Sequence, residues 1–268
     1  MKTEMPIMTV HNLKIHYREQ GAAQQPTLLL IHGLGCSLKY WACVFAAPEL
    51  AHYRIIALDL PGFGLSAKPD TFDYSLRSQA DLVAAFIRAR QAQELTLIGH
   101  SMGGSVAILA AHRYPELARR LLVIEPNLKA NDAQLSREII QDSEAEFVTH
   151  YAEFQQTAIA TVQDWFVNSQ RADIDAYIDD LLKTTPISMY RSAHSLIAVT
   201  TGETMLTQFQ QLALPKYLLI GGETMKTRPL PPELRNGTVQ TVIVPGVGHM
   251  MMVDNPRLFS KTLASILQ

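Results

Sequence analysis

The segment Gly99-His100-Ser101-Met102-Gly103 constrains this chain most, because of what stands on either side of it. The run before it, Leu-Thr-Leu-Ile at 95–98, has the length and composition of a strand buried on both faces. The run after it, 106–112, is apolar with helical character and stops near Pro115. A strand that turns sharply into a helix through G-x-S-x-G strains the serine backbone and lifts its hydroxyl above the sheet. The flanking glycines are needed because side chains there would meet the neighbouring strand and helix. The helix behind the serine points amide N–H groups at it, which suits a developing negative charge. A chance Gly-Ser turn would explain the five residues but not their placement.

The remaining pattern supplies the sheet that such a turn requires. Strands are expected at Ile7–Val10, 13–17, Thr27–Ile31, Arg54–Leu58, 95–98, 121–125, 216–220 and 239–244. Helices are expected within 38–50, over 78–90, over 106–112 and over Pro256–Leu267. In the second of these, Leu82, Val83, Phe86 and Ile87 share one face. The alternation argues for an α/β protein with a mostly parallel sheet covered on both faces. Between 127 and 214 no buried strand stands out and helical patterns dominate. Ordinary connections run about 4–6 residues, so this stretch is an inserted helical structure. Residues 1–126 and 215–268 are then the core, and 127–214 the insert.

Composition limits the partners. The chain has 268 residues, enough for one large core. Charged residues make up 18%, the net charge is -2, and no basic run stands out, which argues against nucleic acid. The two cysteines, Cys36 and Cys43, are too few for a disulfide framework and sit in no metal-site pattern. Polar residues interrupt the opening stretch, and no run of about 18 apolar residues occurs, so neither a secretory leader nor a membrane span is expected. A cytoplasmic protein is the expectation.

A serine hydroxyl is a weak nucleophile and needs a base. His249, in Pro-Gly-Val-Gly-His-Met just beyond the last expected strand, falls at the carboxyl edge of the sheet, as Ser101 does. The other histidines have plainer readings. His11 and His16 fall in the first strands, His52 precedes a strand and His112 lies late in a helix. His150 and His194 fall in the insert, and His100 is expected to pack. The loop His32-Gly33-Leu34-Gly35 follows the Thr27–Ile31 strand and can aim N–H groups at the serine. An oxyanion hole from the Leu34 and Met102 amides is expected, each donor worth about 10²–10³ in rate.

These pieces resemble the α/β-hydrolase superfamily over most of the chain. The resemblance runs through LLLIHGLG, IIALDLPGFGLSAKP, LIGHSMGGSVAILAAHRYPE and VPGVGHMMMVDNPRLF. It implies an eight-stranded, mostly parallel sheet and a helical cap after the sixth strand, which 127–214 would supply. It implies the order serine, acid, histidine. The loop from Asp59 to Gly64 matches a common family segment and is read as structural. Haloalkane dehalogenases and epoxide hydrolases carry aspartate at the elbow, so Ser101 favours acyl transfer.

The acid is the departure. Many relatives carry it in a segment resembling W-G-x-x-D after the seventh strand, where this chain reads Ile220-Gly221-Gly222-Glu223-Thr224-Met225. Methionine at the acid position cannot orient an imidazolium. Some relatives place the acid after the sixth strand, where Glu125 stands in Leu-Val-Ile-Glu-Pro-Asn. Glu125 is the expected acid and Glu223 the alternative. A plain strand-end carboxylate paired with Arg119 or Arg120 is the structural reading of Glu125. Asp254 follows His249, which is the wrong order.

The resemblance implies a serine hydrolase for a carboxylic ester of modest size, with no cofactor. A thioesterase, a carbon–carbon bond hydrolase or a cofactor-free perhydrolase would use the same residues. A non-catalytic binding protein of the same fold is the reading from another class, and it has no need of both Ser101 and His249. Trp165, Phe166, Tyr151, Phe154, Met189, Tyr190 and Met250, Met251 and Met252 are candidates for an apolar acyl pocket. Core packing is the plainer expectation for each of them.

Overall fold

The computed structural model describes residues 6–268; residues 1–5, which carry part of the leader expectation, lie outside the described residues. The strands are β1 (Ile7–Val10), β2 (Leu13–Gln20), β3 (Thr27–Ile31), β4 (Arg54–Leu58), β5 (Thr96–His100), β6 (Arg120–Ile124), β7 (Lys216–Gly221) and β8 (Gln240–Val244). They form one eight-stranded sheet in the order β1-β2-β4-β3-β5-β6-β7-β8. β2 runs antiparallel to both its neighbours, and the pairs from β4 to β8 are parallel. Every residue of β3, β4 and β5 is buried, as expected of strands covered by helices on both faces.

The departures from sequence expectation have local causes. β2 continues past Tyr17 to Gln20 because Arg18, Glu19 and Gln20 find ladder partners on β4. Glu19 also accepts Arg54 and Arg90, which lets polar residues finish the strand. Residues 38–50 break into 3₁₀ turns around a short helix, Ala42–Ala46, with Pro48 opening the last turn. β6 ends at Ile124, because Glu125 leaves the strand with φ +49°.

Helix Met102–Arg113 follows β5 and is buried along most of its length, from Met102 to Ala111. It packs against helix Leu76–Arg90. Between β6 and β7 lie six α-helices, from Gln134–Ile139 to Thr204–Gln211. Polar bonds tie this insert to the core. The Tyr177 hydroxyl donates to Leu34 O at 3.0 Å, and Ser195 Oγ accepts from Leu76 N at 2.9 Å. Asp180, buried, accepts from Ser37 Oγ and from Lys39 Nζ. No helix among the described residues is long and apolar enough to cross a membrane.

The tightest backbone approach lies at the reversal after β5. A methyl group on Gly103 would sit 2.3 Å from His32 O, and one on Gly99 would sit 2.2 Å from Gly103 O. Both obstacles are backbone atoms that cannot rotate away. Gly103→Ala is therefore expected to destabilise the protein by roughly 1–3 kcal/mol, read from urea unfolding.

Candidate active site

Ser101 occupies the reversal with φ +53° and ψ -124°, a conformation few L-residues adopt. Its N–H donates to Ile124 O and its carbonyl accepts from Gly104 N, each at 2.9 Å. The hydroxyl donates to Asn127 Oδ1 at 3.5 Å. Among the described residues no hydrogen bond joins it to the His249 ring. Asn127, which no local sequence signal marks, is itself fixed. Its Nδ2 donates to Asp132 O and its carbonyl accepts from Ser105 Oγ, both at 2.9 Å.

The loop after β3 passes beside the serine: a methyl group on Gly33 would lie 3.1 Å from Ser101 Cβ. His32 sets this loop. Its Nε2 accepts from Leu60 N at 3.0 Å, so the proton stays on Nδ1, which donates to Gly33 O at 2.8 Å. Burial pushes the His32 pKa down and keeps the ring neutral. Carbonyl and N–H of one trans peptide point opposite ways, so fixing Gly33 O turns the Leu34 N–H away from His32. Among the described residues neither the Leu34 nor the Met102 amide has a hydrogen-bond acceptor.

His249 reaches this edge from β8 by crossing the end of β7. The crossing is close: a methyl group on Gly221 would lie 2.3 Å from Val247 O. Gly222 N donates to Val244 O at 2.7 Å and Glu223 N to Val247 O at 3.1 Å, which folds the loop back toward β6. There Nδ1 of His249 lies 3.8 Å from Glu125 Oε2, an ion-pair distance longer than a hydrogen bond. His100 packs against His249 with ring centres 4.7 Å apart, and its Nε2 donates to His249 O at 2.9 Å. Burial and the neighbouring His249 push His100 down to about 3, so it stays neutral. Trp165 covers the His249 ring edge-on at 5.1 Å. Asp254 takes Gly248 N on one oxygen and Val167 N and Ser169 Oγ on the other, clamping the insert to the His249 loop.

Glu125 is fully buried. Its Oε1 accepts from Gly221 N at 2.7 Å, and its Oε2 pairs with the Arg228 guanidinium. The partner is thus Arg228 and not Arg119 or Arg120; Arg120 donates to Ile266 O instead. Burial raises the carboxyl pKa, but the nearby His249 ring, Arg228 and the Gly221 amide outweigh it and hold Glu125 at about 2. Glu223 is one-third exposed and paired with Lys226. Met225 is half-buried against the core.

Leu34, Ser101, Asn127, Trp165, Arg228 and His249 border one cavity of about 570 Å³. Its lining is mixed: the polar side chains of Asn131, Gln134, Ser136 and Thr227 stand among the apolar ones of Leu135, Val167, Leu196 and Pro229. Of the residues expected in an apolar acyl pocket, only Trp165 lines it. Met189, Met250, Met251 and Met252 are buried, and Tyr151, Phe154 and Tyr190 gather around Phe147.

The low pKa of Glu125 makes stability depend on pH. The carboxyl lies below its ordinary 4.5, so its contribution is complete above that value and fades as pH falls toward about 2. Urea melts of wild type and Glu125→Gln at pH 6 and pH 3 are expected to show a steeper acid loss in the wild type. Parallel losses would contradict the assignment of the charge.

Residues 26–256 match a family model described as alpha/beta hydrolase fold. The chain is 27% identical to 2-succinyl-6-hydroxy-2,4-cyclohexadiene-1-carboxylate synthase of Serratia proteamaculans over 93% of this chain and 96% of that one. It is 36% identical to 2-hydroxymuconate semialdehyde hydrolase of a Pseudomonas species over 36% of this chain and 35% of that one. It spans 36% to 46% of the length of uncharacterized relatives from Mycobacterium tuberculosis and Bacillus subtilis. The enol-lactonase of Burkholderia xenovorans superposes with a TM-score of 0.80 at 18% identity, over 98% of this chain and 99% of that one, a likeness of fold. With strand order, serine reversal and matched residues in agreement, the chain belongs to the α/β-hydrolase fold family.

Proposed function

We propose that this chain is a serine hydrolase that cleaves a carboxylic ester of modest size through an acyl-enzyme. Ser101 is the nucleophile, His249 the general base and Glu125 the acid that orients it. The observation that carries the reading is the convergence of the strained serine, the His249 ring and the Leu34 loop on one cavity, with a buried carboxylate behind the ring.

In the first step Ser101 Oγ leaves Asn127, passes its proton to Nε2 of His249 and bonds to the substrate carbonyl carbon. The carbonyl oxygen takes the negative charge, and the Leu34 and Met102 amides donate to it. Glu125 stabilises the imidazolium, which then protonates the departing alcohol. Water repeats the sequence on the acyl-enzyme and releases the acid. The helical insert acts as a cap, since Trp165 and Leu196 close one side of the cavity. The presence of polar side chains in this mixed lining favours short or oxygen-rich acyl groups over fatty ones. It also favours a carbon–carbon bond hydrolase acting on a small oxygen-rich ketone as the second reading.

A panel of p-nitrophenyl acetate, butyrate and octanoate, with acyl thioesters and a vinylogous diketone, separates these readings. Turnover is expected to fall from acetate to octanoate. Ser101→Ala should lose about 10³-fold or more, and Glu125→Gln about 10²–10⁴-fold, while Glu223→Gln stays near wild type. Loss in Glu223→Gln alone would move the acid to that residue. Failure of a fluorophosphonate to label Ser101 would favour a non-catalytic binding protein.

A further inference from the structure

Arg228 stands just beyond Met225, in the segment where the family resemblance expects the acid. Its backbone is fixed, because its N–H donates to Thr224 O at 2.8 Å. Its guanidinium pairs with Oε2 of Glu125, and Nη1 lies 3.9 Å from Asp132 Oδ1. The side chain is 24% exposed and borders the cavity that holds Ser101 and His249. The segment that lacks the usual carboxylate thus reaches back, with a cation, to a carboxylate just beyond the end of the neighbouring strand.

The oxygen it meets is the one facing the base. Oε2 lies 3.8 Å from His249 Nδ1, so ring and guanidinium share one acceptor. The other oxygen is held by Gly221 N. Each remaining charged or titratable group around the pair is engaged elsewhere or distant from Oε2. His100 donates to the His249 carbonyl. Asp254 is taken up by Gly248, Val167 and Ser169. Glu223 is paired with Lys226, and Asp164 borders the cavity from the insert. Asp132 lies behind Arg228 and caps the Leu128 and Lys129 amides. Among the described residues, Arg228 is the permanent cation at Oε2.

We propose that Arg228 is a positioning residue of this site: it holds the buried Glu125 carboxylate opposite Nδ1 of His249 and opposes uptake of an extra proton by the pair as the pH falls. The inference rests on the serine-hydrolase reading for its consequence in catalysis, but the electrostatics of the pair stand apart from turnover. Removing the cation makes either partner easier to protonate. Both routes move the acidic limb in the same direction, upward. An ion pair with a structural role alone would not move it.

The test uses Arg228→Gln, which keeps a donor but no charge, and Arg228→Lys, which keeps the charge on a different head. The first readout is the NMR titration of the His249 ring protons, identified by their loss in His249→Gln. The second is the pH profile of kcat/KM on p-nitrophenyl acetate. In Arg228→Gln the midpoint and the acidic limb should rise by about one pH unit. kcat at neutral pH should fall roughly 10-fold with little change in KM, as for an interaction made in the transition state. Arg228→Lys should lie between Gln and wild type. Coincident titrations of folded Arg228→Gln and wild type would overturn the proposal. If Arg228→Gln does not fold, the uncharged Arg228→Met decides: an unshifted midpoint overturns the proposal and an upward shift supports it. If wild type cleaves none of the esters, the serine-hydrolase reading fails, and the ring titration still judges Arg228.

Discussion

The close approach of three backbone segments at the end of β5 is the constraint on which the site depends. Helix Met102–Arg113 must start directly from β5, while the carbonyls of Ile31 and His32 press against Gly103. Only a reversal with φ +53° at Ser101 connects the two. A residue in so sparse a region costs on the order of 1–3 kcal/mol, so the surroundings must over-determine it. They do so through the bonds from Ser101 N to Ile124 O and from Gly104 N to Ser101 O, and through the burial of the helix behind. The same strain leaves the hydroxyl at the cavity rather than in the core.

A second constraint follows from the position of Glu125, the proposed acid. A carboxylate just beyond β6 is useful only if the chain beyond β8 can return over β7. Gly221 permits that return, because the Val247 carbonyl occupies the space where a side chain would be. Burying Glu125 fully would normally raise its pKa, and an unpaired buried charge is strongly unfavourable. The Gly221 amide, the Arg228 guanidinium and the nearby imidazole reverse that balance. Strand β7 therefore serves the site twice, through the glycine that lets the histidine loop pass and through the amide that receives the carboxylate.

The helical insert divides its side chains between two demands. Its aromatic residues gather around Phe147 and Tyr177 to bury one helix on another. Polar and apolar side chains together, Gln134 and Ser136 with Leu135 and Leu196, face the cavity. Two carboxylates anchor it. Asp180 binds Ser37 and Lys39 beside the Leu34 loop, and Asp254 binds residues 167–169 beside Gly248. Both anchors end next to loops that carry candidate site residues, so the insert and the sheet edge are coupled by hydrogen bonds as well as by packing.

Much of the architecture is written in short-range pattern. Apolar runs such as Thr27–Ile31 and the G-x-S-x-G turn are local statements, and strand, reversal and helix follow from them because each satisfies its own backbone hydrogen bonds. The position of His249 at the carboxyl edge follows from its place after the last strand. Other features depend on partners far along the chain. Nothing near Arg228 marks it as the counter-ion of a residue 103 positions earlier, and nothing near Asn127 marks it as the acceptor for Ser101. The choice of Trp165, alone of the side chains considered for an apolar pocket, to line the cavity was likewise invisible, because core packing was the plainer expectation for each of them. Periodicity and turn chemistry act between neighbours and can be read from order alone. The pairing of buried charges and the choice of which side chains face a cavity depend on distances that exist only once the sheet has brought separate loops to one edge.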